Sequence, residues 1–237
     1  MDWSKIDAAL EKRAPSLWWR DDDAVADTPA LHRLMALAES VEAPLTLAVI
    51  PGNLSDSLAK AIEGRIITTA VHGWTHTNHA PTSEKKAEFR AHRPQTILLE
   101  EAQKGKAILD DAFGVQSLPI FVPPWNRIAP DLPLSECGFT GISVFGEREI
   151  TVEHNLKRFD SHIDPIDWRG SRSAVPMQQI LDQVAELLVS EAPIGLMTHH
   201  LVHDEAIWAV CRDLVTRLTR AGATWMSARD LLTRAPD

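Results

Sequence analysis

The chain has 237 residues, 44% of them hydrophobic and 24% charged, enough apolar material for one sizeable core and within the ~200–250 residues usual for a single α/β barrel. A formal charge of −9 argues against nucleic acid or an anionic membrane surface as partner. Two cysteines, Cys137 and Cys211, stand in no metal or redox spacing, and the absence of tyrosine excludes any scheme that needs a phenol.

In chain order, Asp2–Arg13 reads as an amphipathic helix. A short buried strand follows at Leu17–Arg20 (LWWR), bounded by Pro15 and an acidic run. Thr28-Pro29 pairs a capping hydroxyl with a proline at the first helical position, which predicts a helix to about Val41. Leu45–Ile50 is a strand ended by Pro51-Gly52-Asn53, Leu54–Ile62 a short helix, and Ile66–Val71 a third strand. Ser83–Ala112 reads as mostly helical, interrupted at Pro94. Strands are predicted at Leu118–Val122, Gly141–Phe145 and Ile194–Thr198, and helices at Met177–Ser190 and Glu205–Arg220. Ala223–Met226 leads into a last helix at Ala228–Leu232. Strands alternating with helices predict a mainly parallel sheet buried on both faces. No repeat or linker divides residues 1–237, so one domain is expected, its core about 17–232. No apolar run reaches the ~18 residues that span a bilayer, and the first residues lack a basic-then-apolar signal pattern, so a cytoplasmic location is expected.

The chemically loaded stretches DDD, PGN, HGWTH, PPWN and THH each follow a predicted strand. In a parallel barrel those strand ends open onto one face, where active sites sit. His72 and His76, four apart, share a face if their segment is helical and are then either metal ligands or an exposed loop pair. His79, a further turn on, reads as a bystander. Asp21-Asp22-Asp23 are either a solvated acidic turn, with Asp23 or Asp27 capping the next helix, or mutually repelling carboxylates beside an apolar strand that call for a cation. One carboxylate with two histidines makes a three-ligand site with open positions, and a second carboxylate is placed to take a proton from water. Pro123-Pro124 turns the chain outward, leaving Trp125 either as a packed residue or as an N–H donor to an oxyanion with its ring as a sugar-binding wall. One of His199 and His200 is a candidate general acid, held by Asp164 or Asp167, with His203 and Asp204 at a helix entry.

In this order the motifs resemble the polysaccharide deacetylase family, as a divergent member of its carbohydrate-esterase and chitin-deacetylase-like group. The likeness runs from about Leu17 to His200. It implies a distorted (β/α) barrel of about seven parallel strands and metal-dependent removal of acetyl groups from N-acetylated sugars. It assigns Asp22 as base, Asp23, His72 and His76 as metal ligands, and Trp125, Asp167 and His199 as further catalytic residues, with a register shift to Asp21-Asp22 as the alternative. Trp74, Pro124, Asn126, Arg127, Trp168 and His200 fall on the substrate side. Two departures stand out: Gly73 replaces the hydroxyl residue of H-[ST]-x-x-H, and Val122 replaces the arginine of the Arg-x-Pro-aromatic loop, with Arg127 as its stand-in. Asp164-Pro165-Ile166-Asp167-Trp168 fits D-x-x-D-W in full. The expected cofactor is a divalent metal, Zn2+ first, with Co2+, Fe2+ and Mn2+ compatible with the same donors. The expected partner is a small-molecule or oligosaccharide substrate. The rival readings are a non-catalytic carbohydrate-binding or scaffold protein, a hydrolase of another C–N amide bond, and a non-haem iron oxygenase, whose usual all-β fold conflicts with the βα alternation.

Overall fold

The computed structural model describes residues 3–10, 14–130, 132–146 and 155–234. Eight strands join one sheet: β1 (Ser16–Ala24), β2 (Leu45–Val49), β3 (Ile67–His72), β4 (Ser117–Val122), β5 (Gly141–Ile142), β6 (Lys157–Arg158), β7 (Ile194–Thr198) and β8 (Thr224–Trp225). Seven follow the order β6-β5-β4-β3-β2-β1-β7, and β8 pairs with β1. The paired registers are parallel. The expected class, α/β with about seven parallel strands of a distorted (β/α) barrel, is the class observed. Among the described residues seven α-helices lie between or beside the strands: α1 (Ser4–Leu10), α2 (Pro29–Ser40), α3 (Asp56–Ile62), α4 (Gln95–Phe113), α5 (Met177–Leu187), α6 (Glu205–Arg220) and α7 (Ala228–Thr233). No helix among the described residues is long and apolar enough to cross a membrane.

The chain divides into two compact units that interleave along the sequence. The first holds β1 as far as Asp21, then Thr28–Leu45 and Ser161–Ser227. There Leu17, Trp19 and Asp21 of β1 face Ile194, Leu196 and Thr198 of β7. The apolar stripe of α6 (Ile207, Trp208, Cys211, Leu214, Val215, Leu218) recurs at helical period and is buried. Asp204 caps that helix by accepting from the Ile207 N–H, and Thr28 caps α2 from Leu31. The second unit holds Asp22–Asp27, Thr46–Asp160 and the C-terminal helix. Its core packs Ala48, Ala70, Leu118, Ile120, Val122 and Ala228. A register shift between Thr69 and Val71 sets Val71 opposite Phe121 and His72 opposite Val122.

Most predicted elements appear within a residue or two, and the exceptions have physical causes. β1 does not stop at Arg20 but continues through the acidic run to Ala24, with Asp21 and Asp22 0% and 2% exposed. Residues 82–94 are not helical, and α4 begins only after Pro94, whose ring blocks the preceding turn. β5 is two residues long, and β6 has no counterpart in the sequence reading. Of the expected first helix, Asp2 and residues 11–13 lie outside the described residues.

Candidate functional site

In the second unit, Asp23, His72 and His76 offer one ligand atom each, all within 4.8 Å of one another. Asp23 Oδ1 lies 3.2 Å from His72 Nε2 and 3.6 Å from His76 Nε2. His72 closes β3, and its Nδ1 lies 2.9 Å from the Val122 carbonyl, the residue that the sheet register sets opposite it. A carbonyl only accepts, so Nδ1 carries a proton toward Val122, and Nε2, on the Asp23 side, is the nitrogen that would ligate a metal. The donor set of one carboxylate and two imidazoles fits a divalent ion.

The two histidines do not share a helical face, contrary to expectation. His72 ends a strand, and the chain then turns through left-handed backbone at Gly73 (φ 61°) and His76 (φ 56°). That turn brings the rings to 5.0 Å. Asp23 (φ 72°) is left-handed too, as are Trp125 (φ 54°) and Asn126 (φ 56°). Non-glycine residues rarely hold this conformation, and where they do it clusters at functional sites. The Trp125 ring lies 4.2 Å from the His76 ring.

Burial opposes charge on His72, but its hydrogen bond to the Asp23 carboxylate and the negative charges of Asp22 and Asp23 outweigh it and raise its pKa. Burial, and then the neighbouring His72, lower that of His76.

Glu88 lies in the stretch whose sequence reads as mostly helical, and no motif there marks it. It is 1% exposed, and its carboxylate accepts from the Trp74 and Thr75 N–H groups at 3.1 and 2.9 Å. Its only local signal is that Ala87 and Phe89 on either side are buried as well. Arg127 donates from Nη1 to the Lys86 carbonyl at 2.8 Å. Trp74 lies under the Lys104 ammonium, 4.7 Å from the ring centroid, and Pro124 is buried. His79 is exposed, its N–H bonded to the Ala87 carbonyl.

The first unit holds a separate polar cluster. Asp21 Oδ2 accepts from the Thr198 hydroxyl at 2.7 Å and the His200 N–H at 3.0 Å, while Oδ1 contacts His200 Nδ1. The Trp19 indole N–H in turn donates to the Thr198 oxygen at 2.9 Å. Burial alone would raise the Asp21 pKa, yet the charge and hydrogen bond of His200, then the Thr198 hydroxyl, bring it below the ordinary aspartate value. His200 is 1% exposed, with its ring and its N–H both turned to the Asp21 carboxylate.

The His199 N–H donates to His203 Nε2 at 3.3 Å, and the His199 ring meets the edge of Trp168 at 4.9 Å. Asp164, not Asp167, accepts from the Trp168 indole, at 2.7 Å. Asp167 is tied into its own loop by the Gly170 and Ser171 N–H groups, which lower its pKa. In the described contacts, then, Asp164 is the carboxylate linked to His199 through Trp168. Burial pushes His203 down to about 4.

No protein-family model matches the sequence, and no curated protein matches it. Solved structures do match in fold. A peptidoglycan N-acetylglucosamine deacetylase is 16% identical, with 96% of this chain and 97% of that one covered and a TM-score of 0.60. A family 4 acetyl xylan esterase from Clostridium thermocellum, solved with a cobalt ion, is 15% identical over 92% and 90% of the two chains, at TM-score 0.57. A mutant of a CE4-family pseudoenzyme with restored activity is 15% identical over 93% and 68%, at 0.61. At these identities the likeness is one of fold.

Proposed function

We propose that the chain is a divergent polysaccharide deacetylase, a metal-dependent hydrolase that removes an N-acetyl or related acyl group from a carbohydrate. The observation that carries this reading is the Asp23–His72–His76 cluster, with His72 Nε2 left available by the bond from Nδ1 to Val122. It sits on a fold shared with carbohydrate deacetylases and esterases, one of them solved with cobalt.

Asp23, His72 and His76 would hold the ion, Zn2+ in this proposal. When bound it supplies Lewis acidity toward a carbonyl and makes water easier to deprotonate. Asp22, buried and next in the chain to Asp23, takes the proton from the attacking water. The Trp125 N–H donates to the oxyanion as the carbonyl becomes tetrahedral, and its ring offers an apolar face to a sugar. Trp74, Asn126 and Arg127 are the proposed substrate contacts of this unit. His199 is the proposed donor of the proton to the leaving amine, and Trp168 its neighbour.

The test is metal analysis of the purified protein, followed by acetate release from a panel of N-acetylated amino sugars and their oligomers. Asp22→Asn is expected to abolish release while metal content stays at the wild-type level. Full activity in that variant would remove Asp22 from the role of base. A non-catalytic carbohydrate binder is the second reading, favoured by Val122 at the motif arginine position and by the Arg127 guanidinium bound to the Lys86 carbonyl. Metal and sugar binding without acetate release would establish it.

A further inference from the structure

We propose that Glu88 is a positioning residue for the metal centre: its carboxylate holds the His76 turn in the ligating conformation. The inference rests on the reading of Asp23, His72 and His76 as metal ligands. Four donors from one short segment converge on this buried side chain. Oε2 accepts from the Trp74 N–H at 3.1 Å. Oε1 accepts from the Thr75 N–H at 2.9 Å, the Thr77 N–H at 3.3 Å and the Thr75 hydroxyl at 3.1 Å. Two of those amides belong to the residues on either side of His76.

The segment needs such a partner. Residues 73–77 form neither helix nor strand, so their N–H groups have no ladder to join, and His76 itself stands at φ 56°. A carboxylate accepting from several amides makes charge-assisted bonds, stronger than neutral ones. His72 has a separate anchor in Val122, so the Glu88 bonds act on the second imidazole. Gly73 belongs to the same device. A Cβ there would stand 2.3 Å from Glu88 Oε2 and 2.4 Å from Pro124 Cγ. The side chain missing at position 73 and the carboxylate reaching in from position 88 therefore fill one space. The departure from H-[ST]-x-x-H at Gly73 makes room for an acceptor supplied from fifteen residues further along the chain.

The experiment is a Zn2+ titration of the chelator-stripped full chain as wild type, Glu88→Gln, Glu88→Ala and, as control, Glu101→Gln, which breaks the Arg93–Glu101 pair elsewhere in the same unit. Removing an outer partner of a metal ligand weakens affinity about 10- to 100-fold. Glu88→Gln keeps one acceptor and is expected to lose less than Glu88→Ala, while Glu101→Gln keeps wild-type affinity. If Glu88→Ala does not fold, Glu88→Gln alone decides. Wild-type affinity in the Glu88 variants, or an equal loss in Glu101→Gln, would overturn the positioning role and leave the metal centre standing. A wild type that binds no Zn2+ would remove the metal centre, and this role with it.

Discussion

Replacing Asp21 by asparagine should destabilise the fold without touching the proposed ligand set. The carboxylate is fully buried and takes three contacts: the Thr198 hydroxyl, the His200 N–H and His200 Nδ1. Asparagine keeps one oxygen and turns an NH2 toward one of these donors, so at least one buried donor loses its acceptor. A hydrogen bond to a charged group contributes about 1.5–3 kcal/mol, and breaking a buried ion pair costs about 3–5 kcal/mol. The Thr198 oxygen also accepts from Trp19, so the loss propagates into the strand pair. We expect about 3–4 kcal/mol in urea denaturation of chelator-stripped protein, or about 6–15 °C in Tm for a chain of this size. The pH dependence carries a sign. The folded pKa of Asp21 lies below the ordinary aspartate value, so its contribution is present above the unfolded pKa and is lost as pH falls through about 4 toward the folded value. The difference between wild type and variant should be flat at neutral pH and shrink below about pH 4. A loss under about 1 kcal/mol at pH 7 would refute the view that this carboxylate braces the β1–β7 pair, since that is less than one neutral hydrogen bond.

Gly73→Ala should cost about 2–4 kcal/mol, from a left-handed φ and a Cβ forced against Glu88 and Pro124, and should weaken Zn2+ binding in the same titration; near-wild-type values in both would show that the turn relaxes freely. His76→Ala should abolish stoichiometric metal, measured by elemental analysis, whereas His79→Ala should not, because His79 lies outside the ligand cluster. His203 should remain neutral through mild acid, with its NMR titration centred at about 4. Because its folded pKa is depressed, it contributes stability above about pH 6.5, up to about 3 kcal/mol, which is lost as pH falls from there toward 4. His203→Gln should flatten that slope, and an unchanged slope would count against the burial argument.

What could be read from the sequence and what could not separate by the range of the interactions involved. The bounds of β7 and α6 match the reading, because an unbroken apolar run and a helical stripe behind an Asp204 cap are local signals. The acidic run looked like a strand terminator for an equally local reason: nothing near it in sequence satisfies three carboxylates. The partners of Asp21 lie 177 and 179 residues away, and only pairing with β7 reveals that the strand continues. At residues 72–76 the ligand types and their four-residue spacing were legible, but the geometry behind them was not. A helix was the local explanation of that spacing. The observed turn instead depends on Glu88, from a stretch whose composition read as helix. In both places a buried carboxylate does for the backbone what a local motif would do elsewhere, and it does so from a distance that no window of sequence spans. The residue types that mark chemistry are therefore easier to find here than the residues that hold them in place. A substitution at Glu88 or Asp21 should accordingly disturb the protein more than the local sequence around either residue suggests.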